Sequence, residues 1–79
     1  MINELEGHQS YVQSVFCTYD QKYIVSGSDD ESIKIWKLKN GKLIQTLIGH
    51  TKGIEEVCQS PNGTMIISAS SDFSIKIWK

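Results

Sequence analysis

The chain of 79 residues contains few cysteine and proline residues. Its two cysteines, Cys17 and Cys58, are too few for a disulfide scaffold and lack the spacing of metal ligands. We expect both to be packed, reduced thiols. It has one proline, and its 39% hydrophobic and 22% charged residues argue against disordered and low-complexity classes. From this length and composition we expect one small folded domain.

Charge of one sign and long hydrophobic runs are also lacking. The net charge is −1 and the eight basic residues are spread singly, which disfavours nucleic acid and anionic membranes as partners. No apolar stretch approaches the ~20 residues that cross a bilayer. The first six residues, Met1 to Glu6, carry acidic side chains where a secretory signal carries basic ones. We therefore expect an intracellular protein, located in the cytoplasm.

The dominant feature that is present is an internal repeat with an offset of 42 residues. Pairing residues 1–37 with residues 43–79 gives 15 identities in 37 positions without a gap. The clearest matches are Gly7-His8 with Gly49-His50, Asp30 with Asp72, and the segment from Ser32 to Lys37 with that from Ser74 to Lys79. We interpret the chain as repeat 1, about residues 1–42, followed by repeat 2, about residues 43–79.

Each repeat has the pattern of short β-strands rather than of helices. In repeat 1 the β-rich runs are Val12 to Thr18, Tyr23 to Ser28, Ser32 to Lys37 and Lys42 to Ile48. The step Asn40-Gly41 predicts a two-residue hairpin before the last of these runs. Four short strands in 42 residues predict an antiparallel four-stranded unit.

These motifs resemble the WD repeat of β-propeller proteins. Gly-His opens the unit, Ser-x-Ser-x-Asp precedes the third strand, and Ile-Lys-Ile-Trp closes it, in the same order in both repeats. The family's period of about 40–45 residues also matches. The resemblance covers the whole chain, residues 1–79, and implies an all-β fold. That fold is two four-stranded antiparallel blades of one propeller domain, which stay open unless further blades complete the ring.

The chain departs from the family's pattern in two places. Lys37 and Lys79 follow the tryptophans where many members have aspartate, which changes little. Cys17 and Gln59 stand in the first strand where the family usually has phenylalanine. The polar Gln59 indicates either a partly open interface or a local hydrogen-bonding partner.

The resemblance also implies how the strands are phased. Residues 1–6 match the segment from Leu43 to Ile48 and are the equivalent of a fourth blade strand, so the order is d, a-b-c-d, a-b-c. Two blades cannot close a circle, because propellers have roughly 4–8. Further blades come either from other copies, in an even ring of six or eight blades, or from the rest of a longer chain. We favour the longer chain, since the repeats differ at 22 of 37 aligned positions, as in natural divergence.

Four residue types recur at matching positions of both repeats and have two interpretations: histidine, serine, aspartate and tryptophan. They include the residue types of a Ser-His-Asp hydrolase, but the set recurs with a fixed tryptophan and lacks a nucleophile elbow. The resemblance implies instead one buried, structural, hydrogen-bonded tetrad in each repeat. The tetrads are His8, Ser26, Asp30 and Trp36, and His50, Ser68, Asp72 and Trp78. Ser28 and Ser70 share the strand faces of Ser26 and Ser68, so the choice of serine stays open. No metal or cofactor is expected, because the histidines lack clustered ligands.

The resemblance implies a function in binding rather than catalysis. We expect a protein-protein interaction or scaffold module whose partner, a protein or peptide, contacts the top of the ring. The candidate contact residues are Tyr11, Gln13, Asp29, Gly53, Glu55 and Ser71. The alternative is a pair of purely structural blades that complete a ring, and a hydrolase is a remote third possibility.

Overall fold

The computed structural model describes residues 4–79, which form two antiparallel β-sheets. Sheet 1 contains β1 (Val12–Cys17), β2 (Tyr23–Ser28), β3 (Ser32–Lys37) and β4 (Leu43–Ile48), paired in chain order. Sheet 2 contains β5 (Ile54–Gln59), β6 (Ile66–Ser70) and β7 (Ile75–Trp78), also paired in chain order. The prediction of an all-β fold of antiparallel blades is confirmed. Sheet 1 has the four strands predicted for a blade and sheet 2 has three among the described residues, and the two sheets do not close a ring. Among the residues described, no helix is long and apolar enough to cross a membrane.

The strand bounds follow the sequence pattern, except at the turn between β3 and β4. The prediction of a two-residue hairpin is wrong, because five residues separate β3 from β4. The backbone N–H of Lys37 donates to the carbonyl of Lys42 at 2.8 Å, and that of Gly41 donates to the carbonyl of Lys37 at 2.7 Å. Gly41 has a φ of 72°, and the Asn40 side chain accepts from the Lys42 N–H at 3.0 Å. A glycine in the left-handed region therefore closes a wider turn than predicted.

Residues 4–7 lead into β1 without regular secondary structure. The first three positions of the strand predicted at residues 1–6 lie outside the described residues, and that strand stays a prediction. Leu5 is half-buried beside Gly41, where an added Cβ would lie 2.7 Å from the Leu5 Cδ2. Leu5 also lines a hollow of about 170 Å³ together with Val12, Val15 and Trp36. The segment before β1 therefore packs against the outer side of sheet 1.

The hydrophobic core lies between the two sheets. Val25 and Ile33 from sheet 1 and Ile54 and Val57 from sheet 2 are its buried members. The partly buried residues around them are Phe16, Ile35, Leu47, Ile66 and Trp78. Strand β5 packs against β1 and β2, so the chain joins its two sheets face to face.

Gly27 in β2 permits the closest approach of the sheets. A Cβ at this position would lie 2.6 Å from the Cγ2 of Ile54 and 3.0 Å from a methyl group of Val57. Real Cβ contacts are not this short, so a side chain at Gly27 would push β5 away. The matching residue of repeat 2 is Ala69.

Gln59 links the sheets by hydrogen bonds at one edge of the core. Its Oε1 accepts from the Tyr19 backbone N–H at 2.9 Å, and its Nε2 donates to the Gly63 carbonyl at 3.0 Å. Of the two explanations for a polar residue here, the structure shows a local hydrogen-bonding partner. The side chain connects the β1–β2 turn of sheet 1 with the β5–β6 turn of sheet 2.

The packing predicted for the thiols is wrong, because Cys17 and Cys58 are both exposed. Cys17 lies on the same side of β1 as Val15, which is also exposed. Cys58 matches Phe16, which sheet 2 covers, but no third sheet covers Cys58 in the described part of the chain. Both thiols therefore lie on blade faces that have no neighbouring sheet.

Candidate functional site

In sheet 1 the predicted residues form one continuous hydrogen-bonded chain. His8 comes from the segment before β1, Ser26 from β2, Asp30 from the β2–β3 turn and Trp36 from β3. The His8 Nδ1 lies 2.9 Å from an Asp30 carboxylate oxygen, and its Nε2 lies 2.6 Å from the Ser26 Oγ. The Trp36 indole N–H donates to the same Ser26 oxygen at 2.9 Å.

Sheet 2 repeats this geometry closely. His50 lies 2.9 Å from Asp72 through Nδ1 and 2.8 Å from the Ser68 Oγ through Nε2. The Trp78 indole N–H donates to Ser68 at 2.9 Å. Each histidine also meets its tryptophan edge to face, with ring centroids 6.1 and 6.3 Å apart. A 42-residue shift of the sequence therefore reproduces the whole network.

The donors and acceptors fix the direction of the hydrogen bonds in each chain. A carboxylate only accepts, so the aspartate requires a proton on Nδ1 of the histidine. A neutral histidine with this proton accepts at Nε2, where the serine hydroxyl donates. The serine oxygen in turn accepts the indole N–H. Hydrogen bonds thus run from tryptophan to serine to histidine to aspartate, with every polar atom satisfied.

Asp30 is held as a carboxylate by an excess of donors. Burial raises the pKa of Asp30, but hydrogen bonds from Ser32, from the Gln9 backbone N–H and from the histidine outweigh it and place the pKa well below its usual range. Ser32 contributes both its hydroxyl and its backbone N–H, the latter at 2.9 Å. Charge-assisted hydrogen bonds of this kind are among the stronger ones in proteins.

Asp72 is held in the same way in sheet 2. The Ser74 hydroxyl is the largest influence, burial opposes it, and the histidine and the Thr51 backbone N–H add to it, so the pKa of Asp72 is also well below its usual range. Sequence reasoning missed Ser32 and Ser74 as members of the network. Their identity in both repeats, within the recurring Ser-Ile-Lys-Ile-Trp-Lys segment, was the signal that could have identified them.

The two serines of β2 have different hydrogen-bond partners, and so do the two serines of β6. The Ser28 hydroxyl donates to the Tyr11 carbonyl at 2.9 Å and accepts from the Asp30 N–H at 3.1 Å. Ser70 makes the equivalent bonds to the Gly53 carbonyl and the Asp72 N–H. Ser28 and Ser70 thus brace the turns, while Ser26 and Ser68 bond the histidines.

The candidate contact residues of sheet 1 lie together at the edge formed by the β2–β3 turn. The Asp29 backbone N–H donates to the Tyr11 carbonyl at 2.9 Å, and the Gln13 side chain donates to the Asp29 carboxylate at 3.1 Å. Tyr11 is 78% exposed. The exposed Tyr11 and the Asp29 carboxylate therefore lie on the same edge of sheet 1.

The candidates of sheet 2 continue the same edge. The Ser71 N–H donates to the Gly53 carbonyl at 3.1 Å, and the Ser71 hydroxyl bonds the Glu55 carboxylate. Gly53 touches sheet 1, because an added Cβ would lie 3.0 Å from the Cα of Asp29. The six residues thus form one contiguous surface, named here the upper face: Tyr11, Gln13, Asp29, Gly53, Glu55 and Ser71.

Sequence reasoning did not identify Phe73 as an exposed aromatic residue. It lies in the β6–β7 turn next to Asp72. Phe73 is 98% exposed and has a φ of 70°, as its counterpart Glu31 has a φ of 75°. The left-handed conformation at this turn position projects the side chain into solvent. No local motif predicts that conformation, because neither residue is glycine or asparagine.

No group of three metal-ligating side chains occurs within residues 4–79. The two histidines lie in separate sheets and each bonds an aspartate and a serine. Their ring nitrogens are thus occupied by protein partners.

Comparison with known proteins gives a family match and several relatives. The profile of the family described as WD domain, G-beta repeat, matches residues 1–37 and 41–79. The chain is similar to a ribosome biogenesis protein BOP1 homolog of Drosophila grimshawi, with 46% identity over 41 residues, covering 52% of this chain and 5% of that protein. It is similar to the nuclear distribution protein PAC1 of Candida albicans, with 50% identity over 38 residues, covering 48% of this chain and 8% of that protein. The chain therefore spans less than a tenth of the length of these relatives.

Proposed function

Because the chain belongs to the WD-repeat family, we propose that it is a non-catalytic protein-binding module that presents its upper face to a protein or peptide. Members of this family typically mediate protein-protein interaction. The observation that carries the proposal is the contiguity of the six candidate residues across both sheets, through the contact of Gly53 with Asp29. The names of two relatives, for ribosome biogenesis and for nuclear distribution, support a place inside the cell.

The chemistry of the upper face favours a partner with hydrogen-bond donors and positive charge. The carboxylates of Asp29 and Glu55 each accept one hydrogen bond from a neighbouring side chain, so each keeps free acceptor capacity. No lysine or arginine belongs to the six residues. Tyr11 adds exposed aromatic area, which contributes much of the energy at protein interfaces. A basic peptide segment carrying an apolar side chain fits this combination.

The upper face is tested by replacing its sheet 1 residues together. We expect the triple variant Tyr11→Ala, Gln13→Ala, Asp29→Ala to lose binding to basic members of a peptide array that the unchanged chain retains. Tyr19→Ala is the matched control, since it removes an exposed tyrosine from the other end of β1 and leaves the Gln59 bond to the backbone in place. Circular dichroism checks that each variant is folded.

The same peptide array tests the alternative that the blades are purely structural. If the folded triple variant binds the same peptides as the unchanged chain, the six residues do not carry the interaction. If the unchanged chain binds no peptide, the role of completing or building a ring is favoured. The further blades would then come from a longer chain or from other copies.

A hydrolase is the second candidate, because Asp30, His8 and Ser26 have the order and distances of a catalytic triad. Three features oppose it. The serine oxygen already accepts the Trp36 N–H, and Ser68 in the second network is completely buried. The hollow beside Ser26 is lined mostly by apolar side chains, which supply no donor for an oxyanion. We propose that both tetrads stabilise their blades.

Fluorophosphonate labelling separates the two roles. We expect no labelling of Ser26 in the unchanged chain. We expect a thermal midpoint several degrees lower in the His8→Ala variant, because that change removes the ring that joins the Asp30 carboxylate to the Ser26 hydroxyl. Labelling of Ser26 that disappears in His8→Ala would establish the catalytic alternative. Ser28→Ala is the control for labelling of a neighbouring hydroxyl.

A further inference from the structure

Two turns at the end of sheet 1 opposite the upper face bring lysines together. The β1–β2 turn and the β3–β4 turn lie side by side, because the Leu38 backbone N–H donates to the carbonyl of Lys22 at 2.9 Å. Residues of both turns enclose a hollow of about 300 Å³, named here the lower hollow. It is lined by Gln21, Lys22, Tyr23, Lys37, Leu38 and Lys39. Lysines that are spread singly along the sequence thus meet in the fold.

The lysines of the lower hollow are not neutralised by acidic side chains. Among residues 4–79, the ion pairs are those of the two histidines with their aspartates, and the three lysines of the hollow are exposed. Asp20 is the acidic residue of the two turns. Its Oδ1 accepts from the Thr18 hydroxyl at 2.6 Å and from the Lys22 backbone N–H at 3.0 Å. The ammonium groups therefore keep their charge and their hydrogen-bond donors for a ligand.

The two ends of sheet 1 carry opposite charge. The β2–β3 turn, which borders the upper face, consists of three acidic residues: Asp29, Asp30 and Glu31. The two turns at the other end contain three lysines and one aspartate: Lys22, Lys39, Lys42 and Asp20. Lys37, the last residue of β3, adds a further lysine to this end. The net charge of −1 therefore conceals an acidic end and a basic end of the same sheet.

A neighbouring sheet leaves these positions open to solvent. Tyr23 and Lys37 are cross-strand partners, and they lie on the side of sheet 1 that faces sheet 2, since Val25 two residues along β2 belongs to the core. The lower hollow is thus open although sheet 2 covers that side. For the other side, sheet 2 gives the comparison: Thr64, the counterpart of Lys22, is exposed although it lines the groove between the two sheets. Packing of a sheet on either side therefore does not close this end of a blade.

The lower hollow also offers apolar surface. Leu38 is 42% exposed, and Tyr23 is half-buried. Lysine side chains add their methylene stems, which lie along apolar surface while the ammonium group stays in water. Apolar surface surrounded by ammonium groups suits a ligand that carries an apolar group between negative charges.

We propose that the lower hollow binds an acidic peptide segment of a partner protein. The segment places an apolar side chain against Leu38 and Tyr23, and its carboxylates lie beside Lys22, Lys37 and Lys39. Ammonium groups on flexible stems bind carboxylates without a fixed geometry. The volume is at the small end of the range of ligand pockets, about 300–1,000 Å³, which fits one short segment of chain.

The charges of the chain favour an acidic peptide over nucleic acid. The basic residues of the chain are all lysines, so the bidentate contacts that arginine makes with phosphate are absent. A polyanion longer than the hollow would also meet the acidic β2–β3 turn at the other end of the same sheet. The proposal does not rest on the upper face, whose carboxylates favour a basic partner.

Fluorescence anisotropy with a labelled peptide tests the proposal. The probe is a fluorescein-labelled peptide in which glutamates flank one leucine, titrated with the intact 79-residue chain at low salt. We expect saturable binding that weakens as salt is added, because salt screens charge pairs at an exposed site. The same peptide with lysines in place of the glutamates should not bind to the lower hollow, and serine in place of the leucine should weaken binding.

Variants of the chain locate the binding site. We expect Lys22→Ala and Lys39→Ala each to weaken the affinity for the acidic peptide by about 2–5-fold, the size expected for one exposed charge pair, and Lys22→Glu to weaken it further. Lys52→Glu is the matched control for Lys22→Glu, because it makes the same charge change at an exposed lysine in the loop before β5. Leu38→Ser should weaken binding while its salt dependence stays the same. Circular dichroism checks that each variant is folded.

Three results would overturn the proposal. One is no binding of the acidic peptide at low salt. Another is an equal loss in Lys22→Glu and Lys52→Glu, which would mean that overall charge attracts the peptide. The third is tighter binding of a labelled single-stranded RNA, lost in the same lysine variants, which would assign the lower hollow to nucleic acid. The triple variant of the upper face should bind the acidic peptide unchanged, so the two proposals fail or stand separately.

Discussion

At the scale of single residues, the aspartates of the two tetrads connect the hydrogen-bonded chains to the stability of the fold. Asp30 and Asp72 each accept hydrogen bonds from a histidine, a serine hydroxyl and backbone N–H groups. Their pKa values are lowered in the folded state. A carboxylate in this position stabilises the fold when it is ionised and no longer does so when it is protonated.

The loss of stability at acidic pH, called here the acid limb, follows from these lowered pKa values. A lowered pKa in the folded state adds stability above the unfolded value, about 3.9 for aspartate, and this stability is lost as the pH falls below it. We expect the free energy of unfolding to drop below about pH 4, and the double variant Asp30→Asn, Asp72→Asn to show a flatter acid limb from a lower starting stability. Urea unfolding followed by tryptophan fluorescence between pH 7 and pH 2.5 measures this. An equally steep acid limb in the double variant would assign the loss to other carboxylates.

Sequence reasoning could name the residue types of each hydrogen-bonded chain because those types recur at one offset. It could not separate Ser26 from Ser28, since side chains two apart on a strand point to the same side. The choice depends on where the His8 and Trp36 rings arrive, which is set by contacts distant in sequence. It also missed Ser32, whose part depends on the shape of the turn around Asp30.

At the scale of elements, the spacing between β2 and β5 depends on one missing side chain. We expect Gly27→Val to lower the free energy of unfolding by about 1–3 kcal/mol, because the new atoms collide with Ile54 and Val57. Ala69→Val is the matched control at the corresponding position of sheet 2, where no described sheet lies opposite. Urea unfolding of both variants measures the two losses. Equal losses in the two variants would mean that the cost arises within the strand and not between the sheets.

The strands themselves were predictable because β-branched runs and turn residues alternate in the sequence. The irregularities in strand pairing were not predictable. The register of β1 on β2 shifts between Val12 and Ser14, and that of β5 on β6 shifts at the matching positions, Ile54 and Glu56. A bulge adds one residue to one strand, and neither propensity nor alternation records it. The wide turn before β4 escaped prediction because Asn-Gly is compatible with loops of several lengths.

At the scale of the whole molecule, the fold class was predictable from the repeat, and the covering of its faces was not. Period and motif order identify the blades. Nothing in the composition of a strand tells which blade face meets a neighbour, so Cys17 and Cys58 were expected inside and lie outside. The same information is missing for Val15 and Ile77, whose exposure appears only when the sheets are assembled.

The sequence repeat and the sheets are out of step by one strand. The sequence interpretation starts repeat 2 with β4, yet β4 completes sheet 1 by pairing with β3. A gene that gains or loses a copy of the 42-residue unit therefore always transfers a strand across the joint between neighbouring blades. Recombination at the repeat boundary can change the number of blades without creating a new kind of joint. A chain cut between residues 42 and 43 loses a strand from sheet 1, whereas a cut within residues 49–53 leaves that sheet whole.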